Sequence, residues 1–463
     1  MEKLRRAALC ALPILLAGCA VGRPPATVDA PAPAAWQAPL PHGGRLEDLA
    51  AWWTRWNDPL LSQWIEAAQA VSPTLASARS RLLQAQAARV AAGAALAPRL
   101  DGTASMGRGN TQPPIPLATT ARAGLQAAWE IDLFGASRGA ADAATARAEA
   151  ARAGWHEARV SVAAETATAY LGLRACERLL AVARDDAASR AETARLTQLT
   201  ADAGFAAPAS ADLARASAAE GAVRLRQQQA QCEVERQALA ALTGIAPPAL
   251  QARLAQAPAQ GLAELAPRSL FAVPALPAQV LAQRPDVYQA SLAVAAASAD
   301  AGAAHADRFP RITLAGSIAA GQARIGGVTS EAPTWSIGPL ALTLPLFDGG
   351  RRAASLEAAQ ARYDEAVALY RARVRQAVSE VEQALLVLDS ARGRTGDAMV
   401  AAQGFRASFA ATEARHRGGL ASLVELEDAR RSLLAAETGV VGVQRELNNA
   451  WIQLYRAAGG GWQ

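Results

Sequence analysis

Cysteine and histidine are the side chains whose spacing most readily reveals chemistry, and the 463-residue chain has four of each. His42, His156, His305 and His416 are scattered, and no grouping has the spacing of a metal site. The chain has no Walker A loop, no GxGxxG after a strand and no GxSxG elbow. Gly349-Gly350 and Gly459-Gly460-Gly461 read as turn and tail glycines. Acidic residues recur beside arginines at helical spacing, as on a solvated helix face. Nothing here assembles a catalytic set or a cofactor site, so the expectation is a protein that is not an enzyme.

The cysteines say more. Met1-Glu2-Lys3-Leu4-Arg5-Arg6 is a short basic head, followed by the apolar run Ala7 to Leu16 and then Ala17-Gly18-Cys19. A positive head, a short apolar stretch and small residues at the cut describe a secretory signal peptide over 1–18, too short for a good membrane span. Leu16-Ala17-Gly18-Cys19 is also the lipobox pattern of bacterial lipoproteins, in which the thiol is diacylated and becomes the new N-terminus. Two or more acyl chains hold a protein stably on a membrane. A covalent lipid on Cys19 is the only added group expected. In lipoproteins that resemble this one, a residue such as Ala20 in place of Asp permits export to the outer membrane. The alternative is an ordinary signal with a chance Cys.

Removing Glu2, Lys3, Arg5 and Arg6 with the signal lowers the net charge from +5 to +3, and no block of like charge remains. That excludes a nucleic-acid partner as the natural reading. Alanine is abundant and aromatics make up 5% of the chain, a composition suited to long helices packed closely. No mature segment has 18 uninterrupted apolar residues, so no transmembrane helix is expected.

After residue 45 the chain repeats itself. Ser72-Pro73-Thr74-Leu75 matches Arg284-Pro285-Asp286-Val287 at a shift of 212, and Ala97-Pro98-Arg99 matches Phe309-Pro310-Arg311 at the same shift. Leu133-Phe134 and Arg138 match Leu346-Phe347 and Arg351 at 213, and Gly204 matches Gly419 at 215. The organisation is a signal peptide (1–18), a lipidated Pro/Ala-rich linker (19–45), repeat 1 (46–250), an equatorial connector (251–275) and repeat 2 (276–463). Each repeat reads as helix, strand, strand, long helix, helix. Strands are expected at 99–109, 122–132, 311–322 and 334–346, and long helices at 137–203 and 350–417 with partners at 208–244 and 421–457. No proline interrupts the long helices, each about 100 Å at 1.5 Å per residue. Such helices need a coiled-coil or tube setting; an ordinary bundle within one chain is the alternative. In the last helix Leu426, Leu433, Val440, Leu447 and Leu454 recur every seven residues, with Ala429, Ala436, Val443, Ala450 and Ala457 three further on.

The strands alternate. Leu125, Ala127, Trp129 and Ile131 face away from Gln126 and Glu130; Leu340, Leu342, Leu344 and Leu346 repeat the period, as do Ile312, Leu314 and Ile318. Nine to eleven residues suit a membrane barrel strand, but four strands cannot close a barrel, and a membrane sheet cannot leave its edges open. Three chains would supply twelve strands, with the apolar face on lipid and the Gln126/Glu130 face on a watery lumen. A soluble hairpin sheet resting on helices is the alternative.

The sequence resembles the outer-membrane efflux proteins of the TolC/OprM type, in particular the NodT-type lipoprotein branch. The likeness rests on Leu276-Pro277 with Arg284-Pro285-Asp286-Val287, on Trp335-Ser336-Ile337-Gly338-Pro339, on Leu344-Pro345-Leu346-Phe347-Asp348-Gly349-Gly350-Arg351-Arg352, and on the tail Leu454-Tyr455-Arg456-Ala457-Ala458-Gly459-Gly460-Gly461-Trp462. The resemblance implies an α+β membrane protein: a homotrimer with a twelve-stranded β-barrel in the outer membrane continued by a long coiled-coil α-barrel into the periplasm. It implies a periplasmic adaptor protein and an inner-membrane pump of the resistance-nodulation-division class, with this chain as their exit duct for drugs or other small solutes. An outer-membrane duct for an ATP-driven type I protein-secretion system is the second reading.

By the family's spacing from Gly419, Val424 would form an apolar ring and Asp428 an acidic ring at a periplasmic gate, beside the turn Arg415-His416-Arg417-Gly418-Gly419. His416 stands where relatives often carry Tyr, and a His there adds scope for pH sensitivity. Without the resemblance, Asp428 reads as a solvated helix residue. Finally, the midpoint of Cys176 and Cys232 is Gly204, so a hairpin turning there sets the two level and makes a disulfide geometrically possible. Two small buried thiols are the alternative.

Overall fold

A computed structural model describes residues 22–38, 49–56, 58–110, 117–256 and 277–460. The signal peptide, Cys19, both ends of the expected linker, most of the connector and Trp462 lie outside the described residues. After a 3-10 helix at Leu49–Trp56 come α1 (Pro59–Val71), α2 (Pro73–Ala94), β1 (Arg99–Gly109), β2 (Ala118–Ile131), α3 (Ala136–Asp202), α4 (Pro208–Thr243) and α5 (Pro247–Gln256). The second repeat supplies α6 (Pro277–Ala282), α7 (Pro285–Ala306), β3 (Arg311–Ile325), β4 (Val328–Thr343), α8 (Arg351–Arg417) and α9 (Leu423–Ala457). The repeats agree in length: α2 and α7 each have 22 residues, and α3 and α8 each have 67.

The chain divides into two compact units. The first gathers residues up to Ala30, Ser80–Ala153 and Tyr288–Arg373, and contains the sheet. Its strands lie in the order β1-β2-β3-β4, all antiparallel. Prolines at the first helical positions of α2 and α7 suit a place where no backbone donor is needed. Close packing of helix on helix is local to small residues: a Cβ on Gly139 of α3 would meet Ala303 of α7 at 3.0 Å.

The second unit gathers Pro31–Arg79, Gly154–Val287 and Val374 onward. Its core is aromatic: Trp52, Trp56, Trp64, Tyr170 and Trp451 are fully buried, and Trp52 stacks on Tyr455 at 4.5 Å. Asp58 caps α1 by accepting from the Leu60 and Leu61 amides at 2.9 and 3.4 Å, and its other oxygen accepts from the Tyr170 hydroxyl at 2.6 Å. The hairpins α3–α4 and α8–α9 turn at Gly204 and Gly419, with φ of +81° and +74°, where a side chain would be strained. A capping box of Ser422 and Glu425 starts α9.

Three expectations need correction. First, β4 begins at Val328 and ends at Thr343, so it takes in residues before 334 and omits Leu344–Leu346. Pro345 has no N–H for a ladder. Likewise β2 begins at Ala118 and β3 runs to Ile325. Second, β4 carries a bulge: Leu314 pairs with Leu340 but Gly316 with Ile337. The extra residue lies at Gly338-Pro339 and flips the parity of the strand. Leu340 and Leu342 therefore share a face with Trp335 and Ile337, although a strict alternation would split them. Third, residues 22–38, expected as part of the linker, are held by side chains of the body. In the first unit Arg23 pairs with Asp142 at 2.9 Å, and Tyr363 donates to the Pro25 carbonyl at 3.0 Å. In the second, the Gln37 and Ala38 amides donate to the two oxygens of Glu382 at 2.7 and 2.9 Å.

Candidate channel wall and gate

Register sorts the sheet into two chemically distinct faces. Cross-strand partners share a face and neighbours along a strand do not. One face carries Leu100, Leu125, Trp129, Ile131, Ile312, Leu314, Ile318, Trp335, Ile337, Leu340 and Leu342. The other carries Asp101, Thr103, Ser105, Arg122, Gln126, Glu130, Thr313, Ser317, Thr334 and Ser336. Gln126 sits between Asp101 and Ser317, and Glu130 opposite Thr313. On the polar face Ser317 and Ser336 hydroxyls bond at 2.9 Å. The apolar face is exposed in the single chain: Trp335 is 76% and Ile337 84% exposed. Along β2 the apolar positions run from Ile131 to Ala121, about 25 Å once strands are tilted by about 40°, and polar side chains, Gln322 and Glu331, enter the face at the last of these rows. That is the height of a bilayer's hydrocarbon band. No described helix is long and apolar enough to cross a membrane.

At the α8–α9 turn, His416 and Arg415 are engaged locally. The His416 Nδ1–H donates to the Ala421 carbonyl at 2.9 Å, and Arg415 Nη2 donates to the Leu420 carbonyl at 2.9 Å. Val424 is exposed, and Asp428, one turn on, is exposed and paired with Arg431 at 3.2 Å. The two therefore share one exposed face of α9.

The opposite face of the same turn holds a buried ionic cluster that the sequence reading missed. Arg190 of α3 donates from Nε to Asp186 at 2.9 Å and from Nη1 to Ser217 of α4 and Glu427 of α9, both at 2.6 Å. Glu427 also bonds Arg430, whose Nη2 donates to Ser189 and Thr193 at 3.1 and 2.8 Å. Phe409 of α8 lies under the Arg430 guanidinium at 5.5 Å. Burial lowers the Arg430 pKa, against the pull of Glu427. Asp186 and Arg190 at i,i+4, with Glu427 and Arg430 at i,i+3, were the available signal; they looked like ordinary surface pairs. Further along, Arg178 bonds Gln444 between α3 and α9.

Cys176 and Cys232 are joined, Sγ to Sγ 2.06 Å and Cα to Cα 5.5 Å, across α3 and α4. The Gln228 amide donates to Cys176 Sγ at 3.0 Å. Among the described residues no group of His, Cys, Asp and Glu could hold a metal ion.

Residues 64–245 and 276–460, nearly the two repeats, each match the family described as Outer membrane efflux protein. The chain is 30% identical to the pyoverdine export outer membrane protein OpmQ of Pseudomonas putida, over 98% of this chain and 97% of that one. It is 33% identical to outer membrane protein OprJ of Pseudomonas aeruginosa, over 83% and 81%. Among solved structures, the outer-membrane channel OprN superposes with a TM-score of 0.80 at 31% identity, covering 96% of this chain and 99% of that one. The CmeC channel of Campylobacter jejuni, 21% identical, shares the fold with a TM-score of 0.81 over 96% of each. A four-stranded sheet with one lipid-compatible face, two 67-residue helices and these matches place the chain in the outer membrane efflux protein family: it is an outer-membrane efflux channel.

Proposed function

We propose that this channel works as a homotrimer, the exit duct of a tripartite pump that moves small solutes from the periplasm to the exterior. The observation that carries the reading is the sheet. Four strands expose an apolar face about 25 Å high and cannot close alone, so copies must join edge to edge. Three copies give twelve strands, wide enough for a lumen lined by Gln126, Glu130 and the hydroxyls around them. A periplasmic adaptor and a resistance-nodulation-division pump in the inner membrane are the partners. The acylated Cys19 tethers the chain's start to the same membrane. Val424 and Asp428 line the periplasmic entrance. His416 acts through its bond to Ala421, holding the turn beside that entrance.

For cargo, small organic molecules are the favoured class. Similar Pseudomonas putida proteins are named for pyoverdine export, solvent efflux and toluene efflux. That ranks protein secretion second. The test is a deletion strain challenged with antibiotics, dyes, solvents and aromatic acids, with the purified protein measured in planar bilayers. Increased sensitivity and a trimer with unitary conductance support the reading. A protein that stays monomeric in detergent and never conducts refutes it.

A further inference from the structure

All four strands join helices at one end of the sheet, at Arg99, Ile131, Arg311 and Thr343. Hairpins close the other end, one of them a two-residue turn at Gly326-Gly327. No described helix is long and apolar enough to cross a membrane, and on the proposed reading the helices extend into the periplasm, so the hairpin end faces the cell exterior and the outer leaflet.

The apolar face changes character there, row by row. Leu100, Ala127, Gly316 and Ile337 form one transverse row, then Gly102, Leu125, Ile318 and Trp335. Next comes a row of small side chains, Ala104, Ala123 and Ala320 with Pro333. Met106, Ala121, Gln322 and Glu331 follow, with the Gln322 amide donating to Glu331 at 2.8 Å. The outermost row is Arg108, Thr119, Arg324 and Thr329. Two arginines thus stand two strands apart on the lipid side, about 10 Å at the spacing of a sheet. A threonine hydroxyl lies between them and another beside Arg324. Both arginines are exposed, and among the described residues neither has an acidic partner. Glu331 is the one carboxylate on this part of the face, one row inward and held by Gln322, so the two rows carry a net single positive charge per chain.

We infer that this row is a docking surface for a bisphosphorylated saccharolipid of the outer leaflet. Guanidinium groups bind phosphate through paired, charge-assisted N–H donors. A disaccharide head with a phosphate at each end presents two such anions at a separation that the long side chains of Arg108 and Arg324 reach. The hydroxyls of Thr119 and Thr329 donate to the remaining oxygens, and the acyl chains descend over the small-residue row. Charge complementarity selects this occupant over a zwitterionic phospholipid, and the paired spacing selects it over a lipid with one phosphate.

The inference rests on the membrane-barrel reading, and the experiment separates the two. Full-length protein purified in detergent is mixed with bisphosphoryl lipid A, monophosphoryl lipid A or phosphatidylglycerol, and bound lipid is counted by native mass spectrometry. The same preparations are tested for trimer formation and bilayer conductance. Wild type is expected to retain bisphosphoryl lipid A, with several-fold weaker retention of the other two. Arg108→Gln/Arg324→Gln is expected to lose roughly tenfold or more of that retention, given that each arginine near an anionic surface accounts for about fivefold, while conductance is unchanged. If the double variant fails to assemble, each single variant should bind the two lipid A forms equally. Equal retention of all three lipids by wild type, or equal retention by wild type and variants, overturns the inference and leaves the duct intact. Loss of trimer and conductance in wild type itself sinks the membrane-barrel reading instead.

Discussion

Arg284 donates through Nη1 to the carbonyl oxygen of Ala457 at 3.0 Å, 173 residues away in sequence. Its Nε and Nη2 grip both oxygens of Asp286 at 2.9 and 2.7 Å, and Nη2 also reaches Glu380 at 2.6 Å. Burial works against the charge of Arg284, but the bonds to Asp286 and Glu380 outweigh it and hold the pKa above its ordinary value. One guanidinium thus clasps the start of α7, the middle of α8 and the end of α9. Arg284→Ala takes the guanidinium from the buried carboxylate of Asp286, and is expected to destabilise the fold by about 3 kcal/mol. A thermal or denaturant midpoint equal to wild type would show that the clasp is ornamental.

Just past that carbonyl, Tyr455 donates from its hydroxyl to the Gly460 carbonyl at 2.9 Å. Burial pushes its pKa up from 10.0 to about 12. The unfolded phenol releases its proton near pH 10, while the folded one keeps it. Stability from this group is therefore complete below pH 10 and is lost as pH rises through 12. The loss amounts to about 3 kcal/mol for two pKa units. Melting curves from pH 9 to 12 should fall more steeply for wild type than for Tyr455→Phe; parallel curves would contradict the assignment.

Within the sheet, β3 leaves no room for a side chain at Gly124 of β2. A Cβ there would lie 2.4 Å from the Ile318 carbonyl and 2.5 Å from Ala319 Cβ. Gly124→Val is expected to break the β2–β3 pairing and abolish heat-resistant trimers. Gly102, also in the sheet, has nothing within 4 Å of a Cβ, so Gly102→Ala should assemble normally. Heat-modifiability on gels distinguishes the two.

Much of this was legible in residue patterns because helix and strand periods are local. Proline-free stretches marked α3 and α8 to within a residue or so, and β1 was read at its observed bounds. The β4 bulge was not legible, since Gly338-Pro339 resets the alternation without leaving an apolar gap. Nor was the middle of the buried seam of α9. Counting apolar residues picks the heptad Leu426, Leu433, Val440, Leu447 and Leu454, whose two ends, Leu426 and Leu454, are buried. Within one chain, however, Arg430, Gln444 and Asn448 are among its most buried residues, while Leu433, Val440 and Leu447 are only partly covered. Arg430 and Gln444 are buried there because α3 supplies their partners, Ser189, Thr193 and Arg178, a long-range fact that no window of sequence contains. The clasp at Arg284 shows the converse case: its sequence motif was visible, but its partners Glu380 and Ala457 were not.

The Cys176–Cys232 bond encloses a 56-residue separation that includes the α3–α4 turn. Closing a loop of that length in the unfolded chain is worth about 4 kcal/mol. Cys176→Ser/Cys232→Ser should therefore lower the denaturant midpoint, and reductant should lower the wild type to the same value without affecting the variant. Alkylation of both thiols in native, unreduced protein would show that the bond does not form in the cell.

The proposed gate makes a contrast that stability and conductance resolve separately. Asp428 is exposed and its partner Arg431 more so, a surface pair whose removal costs under about 0.5 kcal/mol. Glu427, the next residue back, is largely buried between Arg190 and Arg430. Removing it leaves the Arg430 guanidinium with hydroxyl partners alone in a poorly solvated site and leaves Arg190 to Asp186, at a cost of about 3 kcal/mol. Asp428→Ala with Val424→Ala should thus leave the melting temperature near wild type while raising conductance and weakening cation preference. Glu427→Ala should lower the melting temperature first and loosen the contact of α9 with α3. If Asp428→Ala/Val424→Ala leaves both conductance and ion selectivity unchanged, Val424 and Asp428 are solvated helix residues and the entrance narrows elsewhere.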